Sequence, residues 1–500
     1  MADECATVFV GADVLDIMSI AMYAEPLVIY RELVQNSSDS IERAIREQII
    51  APGDGSITIT FEPLQRVVVI RDNGFGLCND DFEQQMLSLG ASSKRSTTYR
   101  GFRGIGRLAG LGNCRKLVFK SRSSDDHFVY QASWDALRVR EAIVRPDILP
   151  LGDVIRNAVT VERAVASGEP DHFFEVRLEG VRRLSDDRLF DPNKIANYLS
   201  QVAPVPFSPS ASFGQYVKSE LSRRSPLLEV SVTVGKHNVF KPYEDVIEVR
   251  KGRFSRVRHV QFVEVPSTED STAAFGWIAH TDYIGALPQN YAGRGLRVRS
   301  GNLQVGEDSL LAHAFPEERF NAWSIGEFHV FDPRLRPNAR RDAFEPSIAV
   351  DDLFNQLAPY GAAIAKQCRL ESKRRQLSKK LESVNDLLNR LEKELHRNRS
   401  ALASSVKKFV YEQAASELTE LGPLAQLLAS DESPVVKEAT KRLKRLNSVR
   451  GTGAKRLNQR ERGQLDAIRW LYASGQEHLV GAIVAGLTEM GTNRRLFKDS

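Results

Sequence analysis

The sequence predicts three regions: an α/β (α+β) sandwich over residues 1–185, an α/β middle domain over 186–365, and an all-α, partly coiled-coil region over 366–500. Helix-period and strand-period segments alternate up to residue 185, which is typical of a sheet covered by helices on one side. They alternate again from about residue 210 to 365. Beyond residue 366 the apolar residues follow a heptad spacing instead. Prolines between residues 186 and 208 mark the first junction.

An amphipathic helix over residues 31–44 organises the first region. Its apolar positions fall on one stripe at 3.6 residues per turn. Glu32, Asn36 and Asp39 then lie four and three residues apart on one adjoining face. A carboxylate one turn from an amide can hold a water molecule and a metal ion side by side. On this segment alone, a surface helix with ordinary polar residues is an equally good interpretation.

Two glycine-rich turns follow this helix. The segment Asp72-Asn73-Gly74-Phe75-Gly76 comes directly after a predicted strand, so that a carboxylate stands at the mouth of a sheet where glycines allow close approach of a ligand. The segment Gly101-Phe102-Arg103-Gly104-Ile105-Gly106 precedes a predicted helix and would point backbone N–H groups at a phosphate. Each pattern alone is often a plain turn. Their order after Glu-x-x-x-Asn is a strong signal.

These three segments resemble the nucleotide-binding motifs of the GHKL superfamily, which includes gyrase, heat-shock protein 90, histidine kinases and MutL. The helix core Arg31-Glu32-Leu33-Val34-Gln35-Asn36-Ser37-Ser38-Asp39 looks most like heat-shock protein 90 and MutL. Histidine kinases rarely carry the glutamate, so Glu32 favours hydrolysis over phosphotransfer to a histidine. The stretch Gly101–Gly104 is closer to MutL and Gly104–Gly106 to heat-shock protein 90, so the N-terminal motifs do not choose between these branches.

The resemblance implies an ATPase that uses Mg²⁺, and it gives each matching position a role. Asp72 would accept a hydrogen bond from the adenine amino group, Asn36 would ligate Mg²⁺ and Glu32 would activate the attacking water. Residues 91–98, which alone read as a surface loop, correspond to the lid over the nucleotide. The family usually has a threonine on the last strand, and residues 171–176 lack it. The other implied nucleotide-binding residues are Asp39, Gly74, Gly76, Lys94, Gly101, Gly104, Ile105 and Gly106.

Two segments of the middle region matter. The loop Arg336-Pro337-Asn338-Ala339-Arg340-Arg341-Asp342 resembles the Asn-x-x-Arg-Glu loop with which heat-shock protein 90 delivers an arginine to the γ-phosphate, and it favours that (HtpG-type) branch. Arg341 takes the arginine place and Asp342 replaces the glutamate. The sequence leaves open whether Arg340 or Arg341 reaches the phosphate, and a solvated arginine pair is the alternative. The segment Gly295–Asn302 alternates apolar and basic residues, which predicts an edge strand.

The C-terminal region combines a heptad seam with basic charge. Its apolar residues from Leu370 to Leu402 are spaced as in a coiled coil or a long helical hairpin, so the sequence predicts a homodimer unless a hairpin buries the seam. Residues 366–500 hold 27 Lys and Arg against 16 Asp and Glu, a net charge of +11, whereas the whole chain carries +5. The basic segment 441–462 predicts binding to nucleic acid or to an acidic protein surface, with plain solvation as the alternative.

Composition argues against several other classes of protein. No apolar run approaches the roughly twenty residues needed to cross a bilayer. The N-terminus is acidic and lacks the features of a signal peptide. The four cysteines show neither zinc-ligand nor disulfide spacing, which predicts reduced thiols in a cytoplasmic protein. No P-loop motif is present, so nucleotide chemistry here is of another kind.

Three classes of function are compatible with these features. The first is a chaperone-like ATPase that resembles heat-shock protein 90 and drives a conformational change on a protein client. The second is a nucleic-acid-associated clamp of the MutL or MORC kind with a role in DNA repair or defence. The basic C-terminal region favours this class. The third is a nucleotide sensor that acts as an interaction scaffold, which Glu32 and Arg341 disfavour.

Overall fold

A computed structural model of the protein describes residues 10–11, 13–15, 25–89, 106–124, 126–144, 149–267, 271–397, 412, 414–416, 418–419, 421, 433–448 and 470. Several residues named above lie outside this part of the chain, namely Lys94 and the rest of the predicted lid, Gly101, Gly104, Ile105, Leu402 and residues 449–462 of the basic segment. The chain divides into two compact units, Met1–Cys368 and Arg369–Ser500.

The first unit contains an eight-stranded mixed sheet. Its strands are β1 (Ser56–Glu62), β2 (Val67–Asp72), β3 (Lys116–Arg122), β4 (Phe128–Asp135), β5 (Val159–Val165), β6 (Phe173–Glu179), β7 (Ser231–Val234) and β8 (His237–Val239). The spatial order is β5-β4-β3-β6-β2-β1-β7-β8. Strands β1 and β2 form an antiparallel hairpin, with Ile59 opposite Ile70. The mixed α/β character predicted for this region is therefore confirmed.

This sheet continues past the predicted domain limit at residue 185. Strand β7 pairs in parallel with β1, and β8 pairs with β7 at the edge of the sheet. This pairing buries the alternating side chains of Val232, Val234 and Val239. They are 0–4 % exposed and belong to the same core as β1.

The described helices longer than one turn are the α-helices α1 (Val28–Arg46), α2 (Asn79–Leu87), α3 (Ala136–Val144), α4 (Leu151–Ala158), α5 (Pro192–Val202), α6 (Gly214–Arg224), α7 (Ile348–Arg397) and α8 (Ser433–Ser448), together with 3₁₀ helices over Gly106–Asn113 and Glu318–Trp323. Helix α1 packs its apolar stripe, including Leu33 and Ile41, into the core under the first sheet. Burial of each such aliphatic side chain stabilises the fold by about 1.5–3 kcal/mol.

The proline-containing stretch predicted as a junction folds into helix α5. The Asp191 carboxylate caps its first turn by accepting hydrogen bonds from the backbone N–H groups of Asn193 and Lys194, and Pro192 occupies the first position. Ile195 and Leu199 are fully buried in the first core, next to α1. Helix α5 is therefore part of the first layered structure rather than a linker beside it.

The first unit also contains a six-stranded sheet. Its strands are β9 (Val246–Arg250), β10 (Arg253–Pro266), β11 (Thr272–Thr281), β12 (Gly295–Ser300), β13 (Leu303–Val305) and β14 (Ile325–Val330), in the order β13-β12-β14-β11-β10-β9. Leu353 and Leu357 of α7 share the core on one face, and Val217 and Leu221 of α6 share the core on the other. The prediction of an edge strand at residues 295–302 is wrong, because β12 pairs with both β13 and β14.

The second unit contains the continuation of α7 and helix α8. Three seam residues, Leu377, Leu381 and Val384, are 0–6 % exposed within a single chain. This burial favours the hairpin alternative, while the homodimer stays a prediction. No helix in the described ranges is long and apolar enough to cross a membrane.

Candidate functional site

The polar face of helix α1 is buried as well as its apolar face. Glu32 is 8 % exposed and Asp39 only 1 %, while Asn36 is half-buried. The Arg31 guanidinium donates to Glu32 Oε1, with the Nη2–Oε1 distance at 3.0 Å. Charged side chains are seldom buried on the outside of a surface helix. The alternative of an ordinary surface helix is therefore wrong, and this face lines an internal site.

Asp72 lies at the end of β2 and is 2 % exposed. Its Oδ1 accepts a hydrogen bond from the Gly74 backbone N–H at 2.9 Å. Burial raises the pKa of Asp72 to about 7, although the nearby hydroxyls of Ser37 and Ser40 lower it. The second oxygen, Oδ2, accepts no hydrogen bond of normal geometry from the residues described. A buried acceptor without a donor is unfavourable, so this oxygen fits a ligand that brings an N–H group.

The two glycines after Asp72 are required by close backbone packing. A Cβ atom on Gly76 would lie 1.9 Å from the Arg122 carbonyl oxygen, and Gly76 has a φ of +71°. A Cβ atom on Gly74 would lie 2.3 Å from Ser40 Oγ of helix α1. These contacts hold the turn directly against α1 and β3.

Two residues near this turn were missed in the sequence. His172 Nδ1 lies 2.8 Å from the Gly74 carbonyl oxygen. The Ser121 hydroxyl accepts from the Leu77 backbone N–H at 2.8 Å and donates to the Phe173 carbonyl at 3.1 Å. A buried hydroxyl on β3 and an imidazole beside β6 thus support the turn, in a region where residues 171–176 have no threonine. Neither residue stands in a local motif, so no sequence signal identified them.

The end of the second glycine turn meets Glu32. A Cβ atom on Gly106 would lie 2.5 Å from Glu32 Oε2, so only glycine leaves room for the carboxylate. Gly106 begins a 3₁₀ helix, where an α-helix was expected. Free backbone N–H groups at the start of a helical segment attract anions. The structure therefore brings Glu32 together with Gly106, the one residue of this glycine turn that it describes.

The arginine loop of the middle region lies against the same helix. Arg31 Nη2 donates a hydrogen bond to the Arg340 carbonyl oxygen at 2.7 Å. Arg341 is 7 % exposed, whereas Arg340 is exposed. Arg341 also adopts a φ of +55°, a left-handed conformation that costs energy for a residue with a side chain. The contact of Asn338 Nδ2 with Asp342 Oδ1 at 2.6 Å closes the loop.

A buried ionic cluster lies in the second sheet, built from Glu327 with Lys241, Tyr243 and Arg299. Lys241 Nζ lies 2.9 and 3.0 Å from the two Glu327 oxygens, and the Tyr243 hydroxyl donates to Oε1 at 2.9 Å. Burial lowers the pKa of Lys241 to about 7. Burial alone would raise the pKa of Glu327, but the Arg299 and Lys241 charges outweigh it and hold that pKa well below its usual value.

This cluster connects the second sheet to the site. Arg299 donates to the carbonyl oxygens of Gln201 at 2.7 Å and Ala203 at 3.2 Å, at the C-terminal end of α5. Tyr198 of α5 lies near the Arg31–Glu32 pair. Burial is the main cause that raises the pKa of Tyr198 to about 12, while the Arg31 charge lowers this pKa and the Glu32 charge raises it. The arginines of β12, which the sequence predicts on an edge strand, are thus buried and donate hydrogen bonds to the end of a neighbouring helix.

Replacing Glu327 with glutamine is expected to lower the free energy of unfolding by about 3–5 kcal/mol, because two buried cations lose their counter-charge. Urea unfolding followed by tryptophan fluorescence measures this. The control is Glu318→Gln, whose side chain is 65 % exposed beside His313 and which should change stability little. Equal effects for the two variants would contradict the importance of the cluster.

The first sheet and the helices packed against it form a mixed α/β structure. Residues 27–157 match the family model of the histidine kinase-, DNA gyrase B- and HSP90-like ATPases. This part of the chain is therefore similar to the GHKL-type ATPase domains, among them that of HtpG. The match ends at residue 157, so it leaves the roles of the middle and C-terminal regions open.

Individual relatives agree with this assignment. A chaperone protein HtpG of Buchnera aphidicola is 31 % identical over 88 residues, which are 16 % of this chain and 14 % of the relative. A chaperone protein HtpG of Rhizobium meliloti is 30 % identical over 91 residues, 17 % of this chain and 14 % of the relative. An endoplasmin homolog of Leishmania donovani is 22 % identical over 149 residues, 24 % of this chain and 19 % of the relative. The chain thus spans less than a fifth of these relatives' lengths.

Proposed function

We propose that this protein binds and hydrolyses ATP at the site between α1, β2 and the arginine loop, and uses the reaction to drive a change of conformation. The observation that carries the proposal is the hydrogen bond from Arg31 to the Arg340 carbonyl oxygen at 2.7 Å. It joins the helix that carries Glu32 to the loop that carries Arg341. A carboxylate on a helix and an arginine on a loop distant in sequence, both at one site, suit the hydrolysis of a phosphoanhydride.

Asp72 provides recognition of the base in this proposal. Its Oδ2 would accept a hydrogen bond from the adenine amino group, which supplies the donor that the buried oxygen otherwise lacks. Gly74 and Gly76 let the base approach the turn, because neither has a side chain in the way. Binding would favour the ionised form of Asp72, whose pKa burial has raised to about 7.

Glu32 acts as the general base. Its Oε1 is held by Arg31 and its Oε2 faces Gly106, so the carboxylate is fixed at the end of the phosphate-binding turn. Asn36 offers an amide oxygen one turn further along α1. Within the described ranges no group of three or more His, Cys, Asp or Glu side chains is arranged to hold a metal ion. A Mg²⁺ ion at Asn36 would neutralise phosphate charge and take its remaining ligands from phosphate and water.

The wild-type chain is expected to release phosphate from ATP in the presence of Mg²⁺, and Arg341→Ala should reduce turnover at least about tenfold with little change in ATP affinity. The reason is that a loop arginine acts mainly on charge that develops in the transition state. Arg340→Ala should matter less, because Arg340 is exposed. Steady-state phosphate release and the dissociation constant of ATP are the measurements.

The exposed Arg336 of the same loop is a matched control, and Arg336→Ala should behave as the wild type. A larger effect of Arg340→Ala would identify Arg340 as the arginine that reaches the phosphate. No effect of either variant would contradict the role of this loop. No phosphate release by the wild-type chain would contradict hydrolysis itself.

Chaperone-like clamping of a protein client is the biological role that we favour, by analogy with the HtpG relatives. The second candidate is a nucleic-acid-associated clamp, which the net charge of +11 on residues 366–500 supports. Lys441 and Lys444 of α8 are exposed, as contacts with a polyanion require. Stimulation of ATP hydrolysis by nucleic acid would favour the second candidate, and stimulation by unfolded protein alone would favour the first. A homodimer and a cytoplasmic location stay part of the proposal.

A further inference from the structure

The hairpin of β9 and β10, residues 246–258, presents a basic outer face. Ile247 and Val249 on its inner face belong to the core beneath α6. The opposite face and the turn expose a set of basic side chains, Arg250, Lys251, Arg253 and Arg256. Residues 246–258 hold five basic residues and one acidic residue, a net charge of +4, in contrast to the net −6 of residues 1–365 as a whole.

These four cations have no ion-pair partner among the residues described. The fifth basic residue, Arg258, differs because its guanidinium contacts Asp282. The one acidic side chain, Glu248, accepts a hydrogen bond from the Gly252 backbone N–H at 2.8 Å and so stabilises the turn. No ion pair among the described residues therefore neutralises the positive charge of these four side chains.

An aromatic side chain stands among these cations. Phe254 is 51 % exposed, and it lies opposite Glu248 in the strand pairing, two residues from Arg256. Val246, opposite Arg256, is also 43 % exposed. Charges on an edge strand help to prevent sheet-to-sheet aggregation. That explanation does not account for an exposed phenylalanine or for the excess of positive over negative charge.

We propose that this hairpin binds single-stranded nucleic acid. Arginine and lysine side chains would contact successive phosphates, and an unpaired base would stack on Phe254, the combination by which single strands are bound without sequence preference. Paired bases in a duplex are already stacked on each other and are not available to Phe254. The hairpin shares no residue with the proposed ATP site or with the basic tail, so the inference goes beyond the proposed function.

The test measures binding of a fluorescent oligothymidine and an oligouridine by anisotropy. The protein used is the full chain with Arg442, Arg445, Arg456 and Arg460 replaced by Gln, so that the basic tail contributes less to nucleic-acid binding. In this background Phe254→Ala is expected to weaken binding about five- to 150-fold, the effect of losing one base–aromatic stack. Replacing Arg253 and Arg256 with Gln should reduce the slope of log affinity against log salt by about 1.4.

The control replaces Arg138 and Arg156 with Gln. Both are exposed on α3 and α4, and the pair makes the same change in net charge away from the hairpin. It should leave affinity and salt slope unchanged, and ATP hydrolysis should be unchanged in every hairpin variant. No binding by the tail-substituted chain, unaltered binding by Phe254→Ala, or an equal loss in the control would overturn the proposal. So would equally tight, Phe254-independent binding of duplex DNA or anionic vesicles.

Discussion

Replacing Glu32 with alanine is expected to reduce ATP hydrolysis by about 10²–10⁴-fold, the usual contribution of a positioned general base. The affinity for ATP should change little, because Glu32 would act on the attacking water rather than on the base or ribose. The carboxylate is well placed for this task. It is 8 % exposed, held on one oxygen by Arg31 and faced on the other by Gly106. Single-turnover hydrolysis and equilibrium binding of ATP separate the two effects.

Glu47→Ala is the matched control for this experiment. Glu47 is an exposed glutamate at the C-terminal end of the same helix, so its removal should affect neither measurement. Hydrolysis that persists in Glu32→Ala would exclude Glu32 as the base and would favour a nucleotide sensor or another carboxylate. A loss of binding in Glu32→Ala would instead show that the charge of Glu32 is needed to hold the nucleotide pocket together.

The residues that we propose to bind the nucleotide could be predicted from the sequence because they lie in local patterns. Glu32, Asn36 and Asp39 are spaced by helical geometry, and the structure places them on α1 as that spacing requires. Asp72 ends a strand whose pairing partner is its hairpin neighbour β1. In each case the chemistry and the secondary structure are specified within about a dozen residues, so no distant part of the chain has to be known.

Long-range pairings left no such local signal. Strand β7 pairs with β1, although about 170 residues separate them in the chain, and a short run of alternating valines does not specify a partner. The two arginines of β12 alternate with apolar residues, which is the pattern of a half-exposed strand. Arg299 is buried because Glu327 of β14 and the end of α5 supply its partners, and Arg297 because Gln304, Gln201 and the Ala292 carbonyl oxygen do. A single strand contains no information about those partners.

The arginine loop stands between these two cases. Its motif was visible in the sequence, but the choice between Arg340 and Arg341 was not. The structure distinguishes them by burial and backbone conformation, since Arg341 is 7 % exposed with a φ of +55° and Arg340 is exposed. Neither property is specified by the motif, and the loop also accepts a hydrogen bond from Arg31, some 300 residues away in the chain.

Asp72→Asn is expected to weaken ATP binding at least about a hundredfold. The buried carboxylate provides two acceptor oxygens, of which Oδ1 is occupied by the Gly74 N–H and Oδ2 has no donor in the described residues. An amide at this place turns one oxygen into an N–H₂ group. Two donors would then face each other, and one would be buried without an acceptor. Asp171→Asn is the control, because the Asp171 side chain is 85 % exposed.

Calorimetric titration of a non-hydrolysable ATP analogue in the presence of Mg²⁺ tests the central claim, that the pocket around Asp72 binds ATP. We expect saturable binding to the wild-type chain and to Asp171→Asn, and no measurable heat of binding with Asp72→Asn. A folded Asp72→Asn variant that binds the analogue as tightly as the wild type would contradict the claim.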